Sequence, residues 1–315
     1  MIKLTALDDT SEFTQVKTNV TKLKKKSPLL TSLLGTESLL SIKKDVTDKD
    51  VAIFFPLEGT NFFRKPTYPN TVFMRASHDQ ELEALITYAA QKLNKKKFAV
   101  FHEASEWGEA CLATAKKIIQ QHHYTFVASD SYPPKTVNIV TAAHSLSSNT
   151  TINAIICIAQ ARPAYNFIQS IINKGLHKTV FLGLSNLFSI QETLQKARGV
   201  NIIISSVVPD PQKSKLPIVK EYRTDMKKYL PNKHYSPLSL EGYINAALLF
   251  DAIAHLTFPI TSQHIINYFQ NLKESNFKGL SLNFDPSTNT LSQHIWLNTG
   301  SKKEWPLHTN PQRKN

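Results

Sequence analysis

Between Phe98 and Leu187 short, continuous apolar runs alternate with amphipathic helical patterns, and this alternation limits how the chain can fold. Phe98-Ala-Val-Phe101, Ala154-Ile-Ile-Cys-Ile-Ala159 and Val180-Phe-Leu-Gly-Leu184 lack the polar alternation of a half-exposed strand. Glu106 to Gln121 carries Trp107, Ala110, Cys111, Ala113, Ile118 and Ile119 at helical spacing. Pro163 to Gly175 does the same with Tyr165, Phe167, Ile168, Ile171 and Ile172. A strand apolar on both sides needs cover on both sides, so the pattern predicts a parallel sheet between helices. Polar chemistry in such a sheet belongs at the carboxyl ends of the strands. There the sequence offers His102-Glu103-Ala104-Ser105, Gln160-Ala161-Arg162-Pro163 and Ser185-Asn186.

The rest of the chain repeats the alternation. Expected strands are Ile2–Leu7, Leu29–Leu34, Val51–Phe55 and Thr71–Ala76, with a helix from Thr14 to Lys25 and another after Gly35. From Ser77 the pattern restarts with a helix over Glu81–Leu93, then strands near Phe98, Tyr124–Ala128, Ile152–Ala159, Thr179–Leu184 and Val200–Val208. Pro209-Asp-Pro211 reads as a hinge between units. Helices over Pro217–Tyr229, Ser239–Leu256 and Ser262–Glu274 follow, and the chain ends in β-like segments at Leu280–Phe284 and His294–Asn298. The length of 315 residues suits two α/β lobes.

Composition removes several function classes. The net charge of +13 is spread in short lysine runs, without a basic recognition helix or zinc spacing, so no nucleic-acid partner is expected. No apolar run approaches the ~20 residues of a membrane span, and no secretory signal is visible. Cys111 and Cys157 sit inside apolar patterns and read as small buried hydrophobes. No nucleophile elbow, phosphate loop, dinucleotide fingerprint or metalloprotease helix is present, and 9 glycines leave little for a phosphate cradle. No catalytic residue, cofactor or metal site is therefore expected.

Four stretches in order carry a resemblance. Asp8-Asp9 follows the first expected strand, and Pro56-Leu-Glu-Gly-Thr-Asn-Phe-Phe-Arg64 is backed by Arg75-Ala-Ser77. Glu103-Ala-Ser-Glu-Trp-Gly108 opens one helix and Ser239-Leu-Glu-Gly-Tyr243 another. Together they resemble the type I periplasmic solute-binding proteins, in particular the branched-chain amino-acid (Leu/Ile/Val) class that serves ABC transporters. The resemblance implies two Rossmann-like lobes with parallel sheets and a three-segment hinge. Lobe 1 would be residues 1–76 with 211–288, and lobe 2 residues 77–210 with 289–315. It also implies a non-enzymatic monomer that closes on an amino acid or related amide and delivers it to a membrane permease.

The resemblance further implies which residues hold the ligand. In lobe 1 these are Thr36, Ser38, Glu58, Gly59 and Thr60, whose hydroxyls and backbone groups suit a carboxylate; Ser38 and Thr60 read equally well as helix caps. In lobe 2 they are Gln160, Arg162, Tyr165 and Ser185. Arg162 can clamp an anion bidentately or face solvent. Glu241 can neutralise an ammonium or complement its helix dipole. Family members begin with a further strand and helix, and Ile2–Leu7 matches their second strand, so the N-terminus reads as incomplete. The family is periplasmic; without an export signal the alternatives are a cytoplasmic ligand-sensing module of the same fold or a decayed remnant.

Overall fold

The computed structural model describes residues 3–10, 12–27, 29–197 and 200–308. The chain forms two compact units, Met1–Ser77 with Lys215–Gln293 and His78–Ser214 with His294–Asn315. The first begins with α1 (Phe13–Lys24), β1 (Leu29–Thr31), α2 (Thr36–Ser41), α3 (Lys43–Thr47), β2 (Ala52–Phe54) and β3 (Thr71–Val72). The second holds α4 (His78–Lys92), β4 (Lys97–Glu103), α5 (Glu106–Gln121), β5 (Thr125–Tyr132), α6 (Val140–Ser147), β6 (Ala154–Ile158) and α7 (Ala161–Asn173). It continues through β7 (Val180–Gly183), a 3-10 turn at Ser185–Leu187, α8 (Phe188–Lys196) and β8 (Asn201–Ser206). The chain then returns to the first unit for α9 (Pro217–Tyr229), α10 (Pro237–Ala254), α11 (Ser262–Gln270), β9 (Ser275–Phe277) and β10 (Leu280–Leu282). It ends in the second with β11 (Ile295–Asn298) and β12 (Leu307–His308).

The second unit is built on a sheet of order β12-β11-β8-β7-β6-β4-β5. Strands β4 to β8 are parallel and β11 and β12 add antiparallel. Each central strand buries both faces, as the unbroken apolar runs require. Phe101, Ile155, Cys157, Phe181, Ile202 and Ile204 face one way, into a core completed by α6, α7 and α8. The residues between them face α4 and α5. Phe101 and Phe167 lie parallel, with centroids 3.9 Å apart. Both cysteines are buried and unbridged, and burial pushes the Cys157 thiol up.

The helix opening at Glu106 packs very close to β4. A Cβ at Gly108 would stand 1.9 Å from the Glu103 carbonyl oxygen, so only glycine fits there. The start of α5 is also fixed by Ser105, which accepts the Gly108 N–H, and by Trp107, whose indole donates to His78 Nδ1 at 3.2 Å.

The first unit has a smaller parallel sheet, β1-β2-β3. α1, α2 and α3 cover one face through Val16, Val20, Leu39 and Val46, packed on Leu30 and Ile53. Phe55 meets Phe269 of α11 edge-on at 5.1 Å. Four expectations need correction. Ile2–Leu7 is not a strand: Ile2 lies outside the described residues, and Lys3 to Leu7 are exposed coil with Leu4 79% exposed. Among the described residues no strand lies beside them, and an alternating pattern without a ladder partner does not hold strand geometry. The strand expected over Leu29–Leu34 stops at Thr31, because Ser32 turns the chain at φ 59°. The strand expected over Thr71–Ala76 stops at Val72, though Phe73 still exchanges backbone bonds with Asn289 and Leu291. The helix expected over Ser262–Glu274 ends at Gln270, and Ser275–Phe277 forms a hairpin with β10 through the positive-φ pair Lys278-Gly279.

Gly108→Ala is expected to destabilise the protein by about 1–3 kcal/mol, because the methyl group forces α5 off β4. A thermal midpoint equal to the parent's would contradict that close approach. A second expectation concerns acid. Burial holds the His294 and His308 imidazoles, both in the second unit, below the ordinary histidine value. The unfolded chain therefore takes up these protons first as the pH falls. The stability contributed by the neutral rings is complete above about pH 6.5 and declines below it. Urea midpoints measured across that range should fall more steeply for the parent than for His294→Gln.

Candidate functional site

In the second unit the chain leaves β4 for β5 on one side, while β6, β7 and β8 lie on the other. The strand order reverses between β4 and β6, and the crevice outside their carboxyl ends is where an open α/β sheet binds ligands. Three residues converge there. Glu103 ends β4, Tyr132 ends β5 and Gln160 caps α7 after β6. The Tyr132 hydroxyl donates to Glu103 Oε2 at 2.9 Å and accepts the Gln160 N–H at 2.9 Å. Tyr132 is 1% exposed and stacks on Phe101, and burial pushes its phenol up, so it stays a neutral donor. Glu103 is 6% exposed. Among the described residues its hydrogen bond is to Tyr132, which leaves Oε1 for a further donor.

At the next strand end the expected Ser185 is already engaged. Its N–H donates to Glu81 Oε2 at 2.8 Å and its hydroxyl to Glu81 Oε1 at 3.1 Å, while the Ser205 hydroxyl donates to Oε2 at 2.6 Å. Glu81 is fully buried in the first turn of α4. The carboxylate is held in place by charge-assisted bonds from β8 and from the turn after β7. Asn186 donates to the Ala159 carbonyl, tying the β7 and β6 ends together. The Gln160 side chain and Arg162 are exposed, on the first turn of α7. Tyr165 is half-buried and packs on the core under α7.

In the first unit the predicted residues gather around two arginines. Arg64 is 4% exposed and lies over the Phe73 ring at 4.0 Å. Its guanidinium donates to the carbonyls of Glu58 at 3.0 Å, Thr60 at 3.1 Å and Arg75 at 2.9 Å, and to Thr290 Oγ1 at 2.9 Å. It thus clamps the loop after β2 to the segment after β3. Glu58 is buried and its Oε1 accepts the Thr60 N–H at 2.9 Å, with Gly59 buried between them. Thr60 caps no helix; its hydroxyl accepts the Phe62 N–H in a local turn. The Leu57 N–H donates to the Leu33 carbonyl at 2.8 Å, which sets the β1 loop beside the β2 loop. Thr36 and Ser38, both buried in α2, follow it, and no side chain caps that helix. Glu241 is buried 3.5 Å from Arg75, so its carboxylate faces a cation of the same unit.

Sequence reasoning did not place Tyr132 or Glu81 in the site; it named Glu103 in the strand-end cluster His102–Ser105 but not among the ligand-holding residues. Tyr132 lies at the end of an expected strand drawn too short, and Glu81 reads as an ordinary helix-start acid. A groove of about 460 Å³ lies elsewhere in the first unit, lined by Lys220, Glu221, Thr224, Asp225, Tyr243 and Lys278. Both of its carboxylates have partners within it: Tyr243 donates to Asp225, and Lys278 to Glu221. Among the described residues no group of three or more His, Cys, Asp or Glu is placed to hold a metal ion. No helix among them is long and apolar enough to cross a membrane.

A family model described as periplasmic binding protein matches residues 1–303. The chain belongs to the periplasmic binding protein family. Solved structures show its type I fold. A possible leucine/isoleucine/valine-binding protein from Rhodopirellula baltica SH 1 matches with TM-score 0.85 and 21% identity, over 98% of this chain and 85% of that one. A branched-chain amino acid ABC transporter protein from Thermus thermophilus, with bound valine, matches with TM-score 0.79 and 17% identity, over 96% and 83%. A solute-binding protein of an ABC transporter from Rhodopseudomonas palustris BisB5, in complex with 3,4-dihydroxy benzoic acid, matches with TM-score 0.76 and 17% identity, over 95% and 82%. A search of curated proteins gave no match. For this periplasmic binding protein the strand-end clusters lie where the α/β fold places ligands.

Tyr132→Phe removes the donor to Glu103 and strands the Gln160 N–H. The expected loss of stability is about 1–3 kcal/mol, the cost of a buried polar group left unpaired. Urea unfolding followed by tryptophan fluorescence reads it, and a midpoint unchanged from the parent would contradict the bridging role.

Proposed function

We propose that this chain is the solute-binding component of an ABC transporter, which captures an amino acid or related amide and hands it to a membrane permease. The observation that carries the reading is the match to the periplasmic binding protein family over residues 1–303. The protein works by binding alone, making and breaking no covalent bond. The geometry supports a ligand with an amino group. Glu103 presents a largely buried carboxylate at the switch point, and such a group repays its desolvation best against a cation. The exposed Gln160 amide and Arg162 guanidinium on the first turn of α7 suit a second polar or anionic group.

The identity of the ligand rests on side chains and not on the fold. Proteins of this shape include one with bound valine and one with an aromatic acid that lacks an amine. A calorimetric screen of branched-chain, acidic and amide-bearing amino acids, with 3,4-dihydroxybenzoate as a control, tests the reading. Amide-bearing or acidic amino acids should bind most tightly. Glu103→Gln should weaken them by about 2 kcal/mol, the worth of a hydrogen bond between charged groups, and leave amine-free analogues unchanged. Tightest binding of the aromatic acid, or of leucine with Arg162→Ala silent, would overturn this ligand assignment.

A further inference from the structure

The tip of the α9–α10 hairpin combines exposed apolar side chains with a run of positively charged residues. Tyr229 is 66% exposed, Leu230 50% and Leu238 59%. Lys227, Lys228, Lys233 and His234 surround them in sequence and are also exposed. From Met226 to Leu240 the chain has no acidic residue. Of the acids at either end, Asp225 accepts the Tyr243 hydroxyl at 2.6 Å and Glu241 is buried beside Arg75.

The tip is not a slack loop. Tyr222, 1% exposed, shares a hydrogen bond with Ser239 Oγ at 2.6 Å and accepts the Ser236 N–H at 3.2 Å. Ser236 and Ser239 close a reciprocal cap on α10, and the Tyr235 ring packs edge-on against Tyr222 at 5.7 Å. The buried side of the hairpin end is therefore fixed, and Tyr229, Leu230 and Leu238 are held outward. Exposed apolar side chains grouped at one tip mark an interaction site more readily than single ones do.

We propose that this tip docks on an anionic lipid surface. The lysines answer the negative surface potential, and the leucines and tyrosine enter the interface between headgroups and acyl chains. Charge complementarity selects this occupant: the apolar side chains alone suit many partners, but exposed lysines in a stretch without acids from Met226 to Leu240 suit an anionic plane. Each lysine near such a surface raises partitioning about fivefold. The inference is independent of which ligand the protein carries.

Co-sedimentation of the full chain with vesicles of phosphatidylcholine alone, and with vesicles also containing phosphatidylglycerol, tests the proposal. Binding is expected only to the anionic vesicles, weakening as salt is added. Combining Lys227→Gln, Lys228→Gln and Lys233→Gln should lower the partition coefficient on the order of a hundredfold. Leu230→Ser with Leu238→Ser should lower it about tenfold. Lys95→Gln with Lys96→Gln and Lys97→Gln removes the same charge from the start of β4 and should change binding less than about twofold. Circular dichroism on all three variants should match the parent. No binding to anionic vesicles would overturn the proposal, as would an equal loss in the Lys95–Lys97 variant. So would binding insensitive to the tip substitutions, which would leave the tip to a protein partner.

Discussion

A parallel sheet covered on both faces can show polar chemistry only at its strand ends. That constraint shapes the second unit. Strands β4, β6, β7 and β8 are buried along most of their length, so charge in this layer has to sit where the strands stop. A charge placed there is half out of water and needs partners. Glu103 finds Tyr132, and Glu81 finds Ser185 and Ser205. The difference between the two carboxylates is informative. Glu81 has donors on both oxygens and acts as a rivet between α4, β8 and the turn after β7. Among the described residues Glu103 has one oxygen bonded, at the point where strand order reverses, and that asymmetry makes it the better candidate for a ligand.

The first unit meets the same constraint with cations. Its three short parallel strands leave several carbonyls after β2 and β3 beyond the reach of a ladder. The Arg64 guanidinium collects carbonyls of Glu58, Thr60 and Arg75 with the Thr290 hydroxyl, and its stacking on Phe73 keeps water away. A planar fork with five donors suits this; lysine has neither the plane nor the number of donors. The loop after β2 therefore has its shape before any ligand arrives, and pre-ordered loops lose less entropy on binding.

Much of the fold was legible because burial leaves a periodic mark. α5 and α9 have the bounds the spacing predicts, since one face of each meets a core. α6 gave no such mark: Val140–Ser147 is short, with alanines and small polar residues that fit a helix or a loop equally. Ile2–Leu7 shows the opposite failure. Its alternation is a correct strand pattern, but a strand is a property of two segments, and among the described residues no second one is beside it.

By itself the sequence determined the layer architecture and the loops that carry polar groups, because apolar period and strand-end composition are local properties. It also carried the resemblance that the family match bears out, since short motifs in a fixed order survive low identity. What only the tertiary structure decided is which partners those polar groups meet. Glu241 and Ser185 look as available in the sequence as Glu103 does. Arg75 and Glu81, distant along the chain, engage them, and no local pattern records that. Tyr132, Glu103 and Gln160 meet for the same reason: the order in which strands pair places residues 28 to 29 positions apart within one hydrogen bond of each other.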